Sequence, residues 1–316
     1  MKRALVTGGA GFIGSHIVAG LVDAGYAVRV LDDFSSGQER NLAEVASRIE
    51  VMRGDCSDRA AATAAVEGVD VVYHEAAQPS VQRSVEDPLA AHRRNLDATL
   101  VMLDAARRAK VRRFVYAGSS SAYGNDPVSP KSESQRPQPL SPYAAQKLAS
   151  EHYCRAFAEC YGLETVVLRY FNVYGPRQDP SSPYSGVISL FTTVLLRGEA
   201  PRIYGDGEQT RDFVYVQDVV AANLLAALAP VDPGAVFNIA GGRAIRVNEL
   251  FRVVRAAVGG AALHLEPHYQ PARPGDVRDS VADLTLARTS LRYEPRTKLE
   301  QGIAATLAHY RKEQSL

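Results

Sequence analysis

Residues 3–16 read RALVTGGAGFIGSH, and they give the clearest indication of the fold class. A short apolar run is followed by Gly8, Gly11 and Gly14, and a segment of helical period begins near Phe12. In such a strand–turn–helix unit the first glycine permits the tight turn, the second lets a pyrophosphate approach the backbone, and the third lets the helix pack on the strand. The helix N-terminus adds free N–H groups and the positive end of a dipole. The stretch therefore predicts a dinucleotide-binding turn.

Apolar runs alternate with helix-like segments through the first half of the chain, which indicates parallel βαβ units. After the first run come AVRVLDD, IEVMRGD, VDVVYHEAA, RFVYAGSSS and ETVVLRYFN, separated by segments such as SHIVAGLVDAG and NLDATLVMLDAARRAK. Each run is continuous rather than alternating, as is typical of strands covered on both faces. We expect an α/β fold with a doubly wound parallel (Rossmann) sheet and a smaller mixed α/β substrate-binding lobe.

The composition shifts after Tyr174, where the turn-rich GPRQDPSSPYSG begins. We expect residues 1–174, joined by about 212–240, to form the dinucleotide-binding domain, and residues 175–211 and 241–316 to form the lobe. The segment from Pro127 to Pro142 carries five prolines and predicts an ordered loop between strand and helix.

Composition excludes several classes of protein. Lys and Arg number 36 against 35 Asp and Glu, so the broad positive field of a nucleic-acid or anionic-membrane binder is absent. No apolar run approaches the roughly 20 residues that span a bilayer, and the N-terminal run is too short for a signal peptide, so we expect a cytoplasmic protein. The three cysteines are odd in number and lack a metal-ligand spacing, so we expect neither a metal site nor structural disulfides.

Acidic residues after the second and third runs suggest the nucleotide preference. Asp32 follows the turn at the distance that suits hydrogen bonds from an adenosine ribose, and its carboxylate would repel a 2′-phosphate. We therefore expect NAD rather than NADP, with Asp33 as the alternative ribose partner. Asp55 and Cys56 fall where a loop contacts adenine, although Asp55 would equally suit a helix cap.

Tyr143 and Lys147 lie four residues apart in SPYAAQKLASEHY, so they share one face of a helix. Such a pair alone is more often a surface contact. Upstream, AGSSSAYG places Ser119, followed by Ser120 and Ser121, at the end of a predicted strand, where ligands of α/β sheets bind. This combination predicts a tyrosine general base with a serine partner and a lysine partner.

The lysine has an electrostatic reason to be there. For a tyrosine to accept a proton near neutral pH, its pKa must fall by about three units, which requires about 4 kcal/mol. An ammonium about 6 Å away contributes roughly 3 kcal/mol at an effective dielectric of about 20, and a cationic nicotinamide contributes a similar amount. We expect Lys147 to lower the pKa of Tyr143 and to hold the nicotinamide ribose.

Several ordered motifs together resemble the extended short-chain dehydrogenases/reductases of the nucleotide-sugar epimerase group, over almost the whole chain. They are TGGAGFIG, the serine run ending in YG, Tyr143-x-x-x-Lys147, RYFNVYGPRQ and GDGEQTRDFVYVQDV. Within the group the resemblance is greatest to bacterial UDP-N-acetylglucosamine and UDP-glucose 4-epimerases. It implies a homodimer paired through helices around 96–109 and 143–161.

The resemblance also implies site residues. Loops over the nicotinamide and the sugar correspond to Asn95 and to Ala77–Ser84, AQPSVQRS. The expected cofactor contacts are Gly8, Gly11, Phe12, Ile13, Gly14, Asp32, Asp33, Asp55, Cys56, Ala76, Ala77, Asn95, Tyr143 and Lys147. The expected substrate contacts are Ser80, Ser120, Ser121, Asn172, Val187, Tyr204, Arg211, Arg273, Asp276 and Ser280.

Plainer alternatives exist for some of these substrate residues. Arg211 and Arg273 match family arginines that clamp the diphosphate, and guanidinium forks suit that geometry. Each would otherwise pair with the neighbouring Asp212 or Asp276. Tyr204 matches an aromatic that stacks on uracil, and would otherwise be a core tyrosine.

Two departures from related families narrow the activity. Ser280 corresponds to a bulky aromatic that crowds the sugar 2-position in galactose-pathway epimerases, so the resemblance implies that an N-acetyl group is tolerated. Ser120 and Ser121 stand where 4,6-dehydratases carry an Asp-Glu pair. We expect an NAD-dependent 4-epimerase of a UDP-hexose, with a uronate 4-epimerase, a 4-keto-sugar reductase or an NAD-sensing scaffold as alternatives.

Overall fold

The computed structural model describes residues 2–180, 186–272 and 278–314. The strands are β1 (Arg3–Thr7), β2 (Ala27–Asp32), β3 (Ile49–Arg53), β4 (Val71–His74), β5 (Arg113–Ser119), β6 (Glu164–Tyr170), β7 (Asn172–Tyr174), β8 (Arg202–Tyr204), β9 (Thr210–Tyr215), β10 (Ala235–Ile239), β11 (Ala244–Arg246), β12 (His268–Gln270) and β13 (Asp279–Ser280). The α-helices are α1 (Phe12–Asp23), α2 (Arg59–Ala65), α3 (Val81–Glu86), α4 (Pro88–His92), α5 (Ala98–Arg108), α6 (Pro142–Tyr161), α7 (Val187–Leu196), α8 (Val216–Ala226), α9 (Val247–Val258) and α10 (Leu299–Gln314).

Shorter helical turns complete the chain. Segments of 3₁₀ helix span Glu39–Arg48, Ser120–Tyr123 and Gly260–His264. Segments of π helix span Arg93–Asp97 and Ala287–Leu291. None of the described helices is both long enough and apolar enough to span a bilayer.

A parallel seven-stranded sheet in the order β10-β6-β5-β4-β1-β2-β3 forms the centre of the larger part. The six predicted strands are all present in it, so the predicted doubly wound fold is confirmed. The order of strands reverses between β1 and β4, where such folds open a crevice at the carboxyl ends of their strands. The glycine turn after β1 and the serine run after β5 lie along this edge.

Two apolar layers cover the sheet. One packs α1 and α8 against one face, through residues such as Ile17, Leu21 and Val219. The other packs α5 and α6 against the opposite face, through Met102 and Phe157. Because both faces are covered, side chains at successive positions of β1, β2, β4, β5 and β6 are buried, which explains their continuous apolar runs. The edge strand β3 is partly exposed.

A separate core holds the smaller part together. It is formed by apolar side chains of α7, α9 and α10, among them Ile188, Leu250 and Ile303. A small sheet in the order β11-β9-β13 joins this core. Strand β7 also pairs with β9 and is the fourth strand of this sheet. We propose the division of the chain expected above, which is supported by α8 packing on α1 and by β10 extending the large sheet. Its boundaries differ in detail, because β7 and the end of β9, expected in the larger domain, pair in the small sheet.

Backbone hydrogen bonds anchor the proline-rich loop between β5 and α6 at two points. The backbone N–H of Lys131 donates to the carbonyl of Val281 at 2.7 Å, and that of Asp283 donates to the Lys131 carbonyl at 2.8 Å. Further on, the N–H of Gln138 donates to the Ala122 carbonyl at 2.9 Å. These bonds satisfy backbone groups that proline-rich segments cannot pair among themselves.

Candidate active site

The turn after β1 has the geometry that a bound pyrophosphate requires. Gly8 has a φ of 66°, and its carbonyl accepts the N–H of Gly11 at 3.0 Å. A Cβ on Gly14 would lie 2.2 Å from that carbonyl oxygen, so no larger residue fits there. Gly11 caps α1 without a side-chain hydrogen bond, which leaves the N–H groups of the first turn, Phe12 to Gly14, for an anion.

Asp32 lies beside this turn and is only 6% exposed. Its carboxylate accepts the N–H of Ala10 at 2.9 Å and the N–H of Phe34 at 2.8 Å, and its burial raises the pKa of Asp32. Since a carboxylate has about four acceptor positions, capacity is left for a ribose diol. Asp33 is exposed, and its carboxylate accepts both the N–H and the hydroxyl of Ser35. The glycine turn and Asp32 together fit a dinucleotide.

The loop after β3 differs in part from expectation. Asp55 is exposed and accepts the N–H and hydroxyl of Ser57, at 2.7 and 2.8 Å. The cap of α2 is Asp58, so the alternative that Asp55 caps this helix is wrong. The Cys56 thiol packs in the core under the sheet, where burial raises its pKa. Contact with adenine would therefore involve the Cys56 backbone rather than its thiol.

Helix α6 carries the predicted tyrosine and lysine. It begins at Pro142 because the Ser141 hydroxyl caps it, accepting the N–H of Ala144 at 3.2 Å. Lys147 is 5% exposed, and its ammonium donates to the carbonyl of Ala117 on β5 at 2.9 Å. Burial lowers the pKa of Lys147 to about 8. Because the ammonium is buried, the alternative that Tyr143 and Lys147 form only a surface contact is not supported.

Tyr143 and Ser119 form the centre of the site. Burial raises the pKa of Tyr143, and a hydrogen bond from Ser119 lowers it. The Lys147 ammonium donates to the Ala117 carbonyl, and its lowering of the Tyr143 pKa stays a prediction. The Ser119 hydroxyl accepts both the hydroxyl and the N–H of Ser121, at 2.8 and 3.2 Å. A hydroxyl pair with a nearby buried cation can move a proton to or from a bound alcohol.

Asn95 positions the segment that follows β4. It is buried in the π-helical turn, accepts the N–H of Gln78 at 2.7 Å and donates to the Gln146 side chain on α6 at 2.8 Å. Ala76 and Ala77, expected at the cofactor, lie in this partly buried segment; Ala76 abuts the glycine turn, since a Cβ on Gly8 would lie 2.8 Å from its Cα.

Of two serines at the next helix, one caps it and the other connects it to α6. Ser80 is buried and caps α3, where its hydroxyl accepts the N–H of Arg83 at 3.2 Å. The Ser84 hydroxyl accepts the N–H of Tyr143 at 3.0 Å. Its role at the start of α6 was not expected from the sequence, because a capping serine from a distant segment leaves no local pattern.

The small sheet brings three of the expected substrate residues together. In the pairing of β13 with β9, Ser280 lies opposite Arg211, and in the pairing of β7 with β9, Asn172 lies opposite Phe213. Arg211 donates to the Thr210 carbonyl at 2.8 Å, and its side chain is partly exposed.

The alternative pairing of Arg211 with Asp212 finds no support in the bonds that Asp212 makes. The Asp212 carboxylate accepts the N–H groups of Gly241, Gly242 and Ala282, at 2.8, 3.0 and 3.2 Å. It is fully buried and is directed at those backbone amides, so its role is to hold loops of the lobe.

The remaining substrate residues are more dispersed. Tyr204 ends β8 and is only partly buried, so it is not a core tyrosine, and Val187 begins α7. Arg273 and Asp276 lie outside the described residues. Ser120 and Ser121 begin the 3₁₀ turn after β5.

A carboxylate that the sequence analysis missed also lies at this edge. Glu75 directly follows β4, and its Oε1 accepts the hydroxyl of Tyr170 at 2.9 Å. The sequence did contain a signal for this residue, namely an acidic residue near the end of the predicted strand VDVVYHEAA.

The chain matches the model of the NAD dependent epimerase/dehydratase family over residues 4–240. It is 41% identical over 313 residues to a UDP-glucose 4-epimerase of Mycolicibacterium smegmatis, with 98% of each chain covered. The structure of a UDP-glucose 4-epimerase of Thermotoga maritima with UDP-glucose superposes with a TM-score of 0.93 at 42% identity, covering 99% of each chain. A UDP-N-acetylglucosamine 4-epimerase of Methanobrevibacter ruminantium, in complex with UDP-N-acetylmuramic acid, gives 0.94 at 38%, also covering 99% of each chain.

Other relatives are named dTDP-glucose 4,6-dehydratase and UDP-N-acetyl-alpha-D-glucosaminuronate decarboxylase. The reactions of the relatives therefore differ, whereas the matching family is NAD dependent, and NAD is the cofactor expected from the glycine turn and Asp32. A family match over three quarters of the chain and relatives of this identity over nearly all of it mean that the chain belongs to the NAD dependent epimerase/dehydratase family, as its motifs indicated.

Proposed function

We propose that this protein is a UDP-hexose 4-epimerase. The observation that carries the proposal is the constellation of Ser119, Tyr143 and Lys147 at the carboxyl end of β5, beside a glycine turn fit for NAD. Tyr143 takes the proton of the sugar 4-hydroxyl and later returns it. Ser119 donates to the reacting oxygen, and Lys147 holds a positive charge behind both.

The glycine turn and Asp32 would hold NAD, with Asn95 supporting the loop that faces it. When bound, NAD supplies the acceptor and donor of the hydride at carbon 4 of the sugar. Asp32 would favour NAD over NADP because its carboxylate would repel a 2′-phosphate. Asn95 also joins the loop after β4 to α6, so the two walls of the crevice keep a fixed distance.

Epimerisation is favoured over the reactions of the dehydratase and decarboxylase relatives. A 4,6-elimination needs an acid and a base at the neighbouring carbons, and Ser120 and Ser121 stand where that pair is expected. A hydroxyl of a serine has a pKa too high to protonate a leaving hydroxyl near neutral pH. The groups of the site that can exchange a proton therefore suit proton transfer at one sugar oxygen, as epimerisation requires.

The substrate is proposed to be a UDP-sugar held by the lobe. Arg211 and Asn172 lie close together on the small sheet and suit the diphosphate, with Arg273 proposed as the second clamp. Tyr204 is proposed to stack on uracil. The small Ser280 beside Arg211 leaves volume near the sugar, which supports UDP-N-acetylhexosamines as substrates alongside UDP-glucose and UDP-galactose.

A homodimer is part of the proposal. The helices expected to pair are those around 96–109 and 143–161, and of these α6 presents Tyr153 and Tyr161 at 39% and 56% exposure. Exposed aromatic and aliphatic side chains of this size are typical of interfaces between subunits.

The test is to incubate the purified protein with UDP-glucose, UDP-galactose, their N-acetyl counterparts and UDP-glucuronate, and to resolve the products by chromatography and mass spectrometry. We expect 4-epimers of unchanged mass and no net NADH. Products that have lost water or carbon dioxide would identify a dehydratase or a decarboxylase instead. No turnover with intact NAD binding would favour a scaffold.

A further inference from the structure

Asn238 is fully buried near the end of β10, and its side chain is hydrogen-bonded to three other segments of the chain. Its Oδ1 accepts the hydroxyl of Tyr123 at 2.7 Å. Its Nδ2 donates to the carbonyls of Lys131 and Asp283, at 2.9 and 3.2 Å. A side-chain amide has one acceptor oxygen and two N–H donors, so each of these groups has a partner here.

The first of the three segments is the turn that follows Ser119. Tyr123 is the last residue of the 3₁₀ helix Ser120–Tyr123 and is fully buried. At the other end of this turn the Ser119 hydroxyl accepts the N–H of Ser121. A short turn that is capped at one end and hydrogen-bonded through a buried hydroxyl at the other is fixed in place. The bond between Tyr123 and Asn238 therefore holds the turn whose serine is proposed to donate to the reacting oxygen.

The other two segments are the proline-rich loop and the residues that follow β13. Lys131 and residues 281–283 pair through two backbone hydrogen bonds. These residues directly follow Ser280, the last residue of β13, which is proposed to lie near the sugar. The Asn238 amide donates to one carbonyl on each side of this pairing, at Lys131 and at Asp283. One side chain therefore holds the loop and the end of β13 together.

Asn238 is itself held in place by its strand. Its backbone N–H donates to Oε1 of Glu133 at 2.7 Å, and β10 pairs in parallel with β6 in the large sheet. Its neighbours Phe237 and Ile239 are buried in the core. Because the strand is fixed, the Asn238 side chain sets the separation between the turn after Ser119 and the residues after Ser280.

We propose that Asn238 is a positioning residue that sets the gap in which the sugar binds, by holding the serine turn and the strand of Ser280 at a fixed separation. The inference deepens the proposed function and rests on it for the identity of the sugar substrate. Asn238 acts on the reaction through Tyr123 on one side, termed the turn contact, and through Lys131 and Asp283 on the other, termed the loop contacts.

The turn contact and the loop contacts should affect different kinetic constants. Ser119 is proposed to donate to the reacting oxygen, a bond that strengthens as charge develops in the transition state, so loss of the turn contact should lower kcat. Ser280 would border the sugar in the ground state and in the transition state alike, so loss of the loop contacts should raise KM.

Two variants separate these contacts in steady-state kinetics. Tyr123→Phe deletes the turn contact alone and should lower kcat by about tenfold with KM unchanged, as the loss of about one hydrogen bond implies. Asn238→Ala deletes the turn contact and the loop contacts together, so kcat should fall at least as far and KM for UDP-sugars should rise by about tenfold. The control is Tyr310→Phe, which removes a buried hydroxyl that donates to the Gln178 carbonyl at 2.7 Å and should change neither constant.

Hydrogen exchange followed by NMR measures the loop contacts without any substrate. In Asn238→Ala the backbone amides of Lys131 and Asp283 should exchange faster than in the wild type by about tenfold or more. Asn223→Ala, at another fully buried asparagine, which donates to the Tyr170 hydroxyl at 2.7 Å, should leave these two exchange rates unchanged. If Asn238→Ala does not fold, Asn238→Ser takes its place, because a serine hydroxyl has one hydrogen and cannot donate to both carbonyls.

Unchanged exchange at Lys131 and Asp283 in the Asn238 variants would overturn the inference. Faster exchange with wild-type kcat and KM would also overturn it, because Asn238 would then hold the loop without positioning the site. A wild type that turns over no UDP-sugar would overturn the proposed function instead. The exchange rates, with calorimetric binding of UDP-N-acetylglucosamine in place of KM, would then decide on Asn238.

Discussion

The Ser119 hydroxyl has two lone pairs and one hydrogen, and Ser121 uses both lone pairs. The N–H and the hydroxyl of Ser121 donate to the Ser119 oxygen, at 3.2 and 2.8 Å. The Ser119 hydrogen is consequently the part left to point toward Tyr143 and the reacting oxygen. At the scale of single residues, the direction of hydrogen bonds decides which group can donate in the proposed reaction.

Replacing Ser121 with Ala should free one lone pair of Ser119 and let its hydroxyl rotate. We expect kcat to fall by about tenfold, as the loss of about one hydrogen bond in the transition state implies, with little change in KM. Steady-state kinetics would show this. Ser134→Ala breaks an equivalent serine pair with Ser132, at 2.9 Å in the loop, and should leave kcat unchanged. Equal effects of the two variants would contradict an orienting role of Ser121.

Tyr143→Phe should remove nearly all turnover while NAD and UDP-sugar still bind, because it deletes the proton acceptor and little packing volume. A loss of 10² to 10⁴ in kcat is the usual range for a general base. Calorimetric binding and product analysis would be compared with those of Tyr153→Phe, a partly exposed tyrosine on the same helix. Near-normal turnover of Tyr143→Phe would show that Tyr143 is not the general base.

At the scale of elements, His16 joins α1 to two other segments. Its Nε2 donates to the carbonyl of Pro176 at 2.9 Å, and its Nδ1 accepts the Gln217 amide of α8 at 3.2 Å. Burial lowers the pKa of His16 to about 4, so the imidazole is neutral in the folded protein near pH 7. The contact therefore depends on the neutral ring.

The pH dependence follows from the direction of this shift. Below pH 6.5 the unfolded chain protonates this histidine and the folded chain does not until about pH 4, so stability falls as the pH falls through this window. Between pH 7 and 4.5 the wild type should lose roughly 2 to 3 kcal/mol more than His16→Gln does. Urea unfolding at several pH values measures the difference. His92→Gln, at an exposed histidine, is the control, and parallel pH profiles of wild type and His16→Gln would refute the prediction.

At the scale of the whole molecule, the small sheet brings together residues that are proposed to bind the substrate. Ser280 lies opposite Arg211 in the β13–β9 pairing, and β7, which carries Asn172, pairs with the same β9. The proposed sugar specificity therefore depends on the pairing of β13 with β9, two strands that are far apart in the sequence.

Ser280→Tyr should abolish turnover of UDP-N-acetylhexosamines while preserving that of UDP-glucose and UDP-galactose. A phenol ring would fill the volume that an N-acetyl group needs, and packed sites do not absorb such a volume by small shifts. The ratio of kcat/KM for the two substrate types, measured in wild type and variant, gives the answer. Ser290→Tyr, at an exposed position, should leave the ratio unmoved, and an unmoved ratio in Ser280→Tyr would show that Ser280 does not face the sugar.

Features that depend on near neighbours in the chain were predictable from the sequence. The six strands, the glycine turn and the shared face of Tyr143 and Lys147 follow from apolar periodicity, glycine spacing and the helical repeat. The group of Ser119 with this pair was predictable too, since strand ends of a parallel sheet meet at one edge.

Only the tertiary structure decided the features that depend on pairing between distant segments. The position of β10 beside β6, the register that sets Ser280 against Arg211, and the placement of Glu75 opposite Ala117 arise from such pairing. The hydrogen bond from the Lys147 ammonium to the Ala117 carbonyl and the one between Ser119 and Tyr143 belong here as well. Local patterns fix the type of each element, whereas the neighbours of its side chains are chosen by packing and hydrogen bonding in the folded chain, which no spacing along the sequence records.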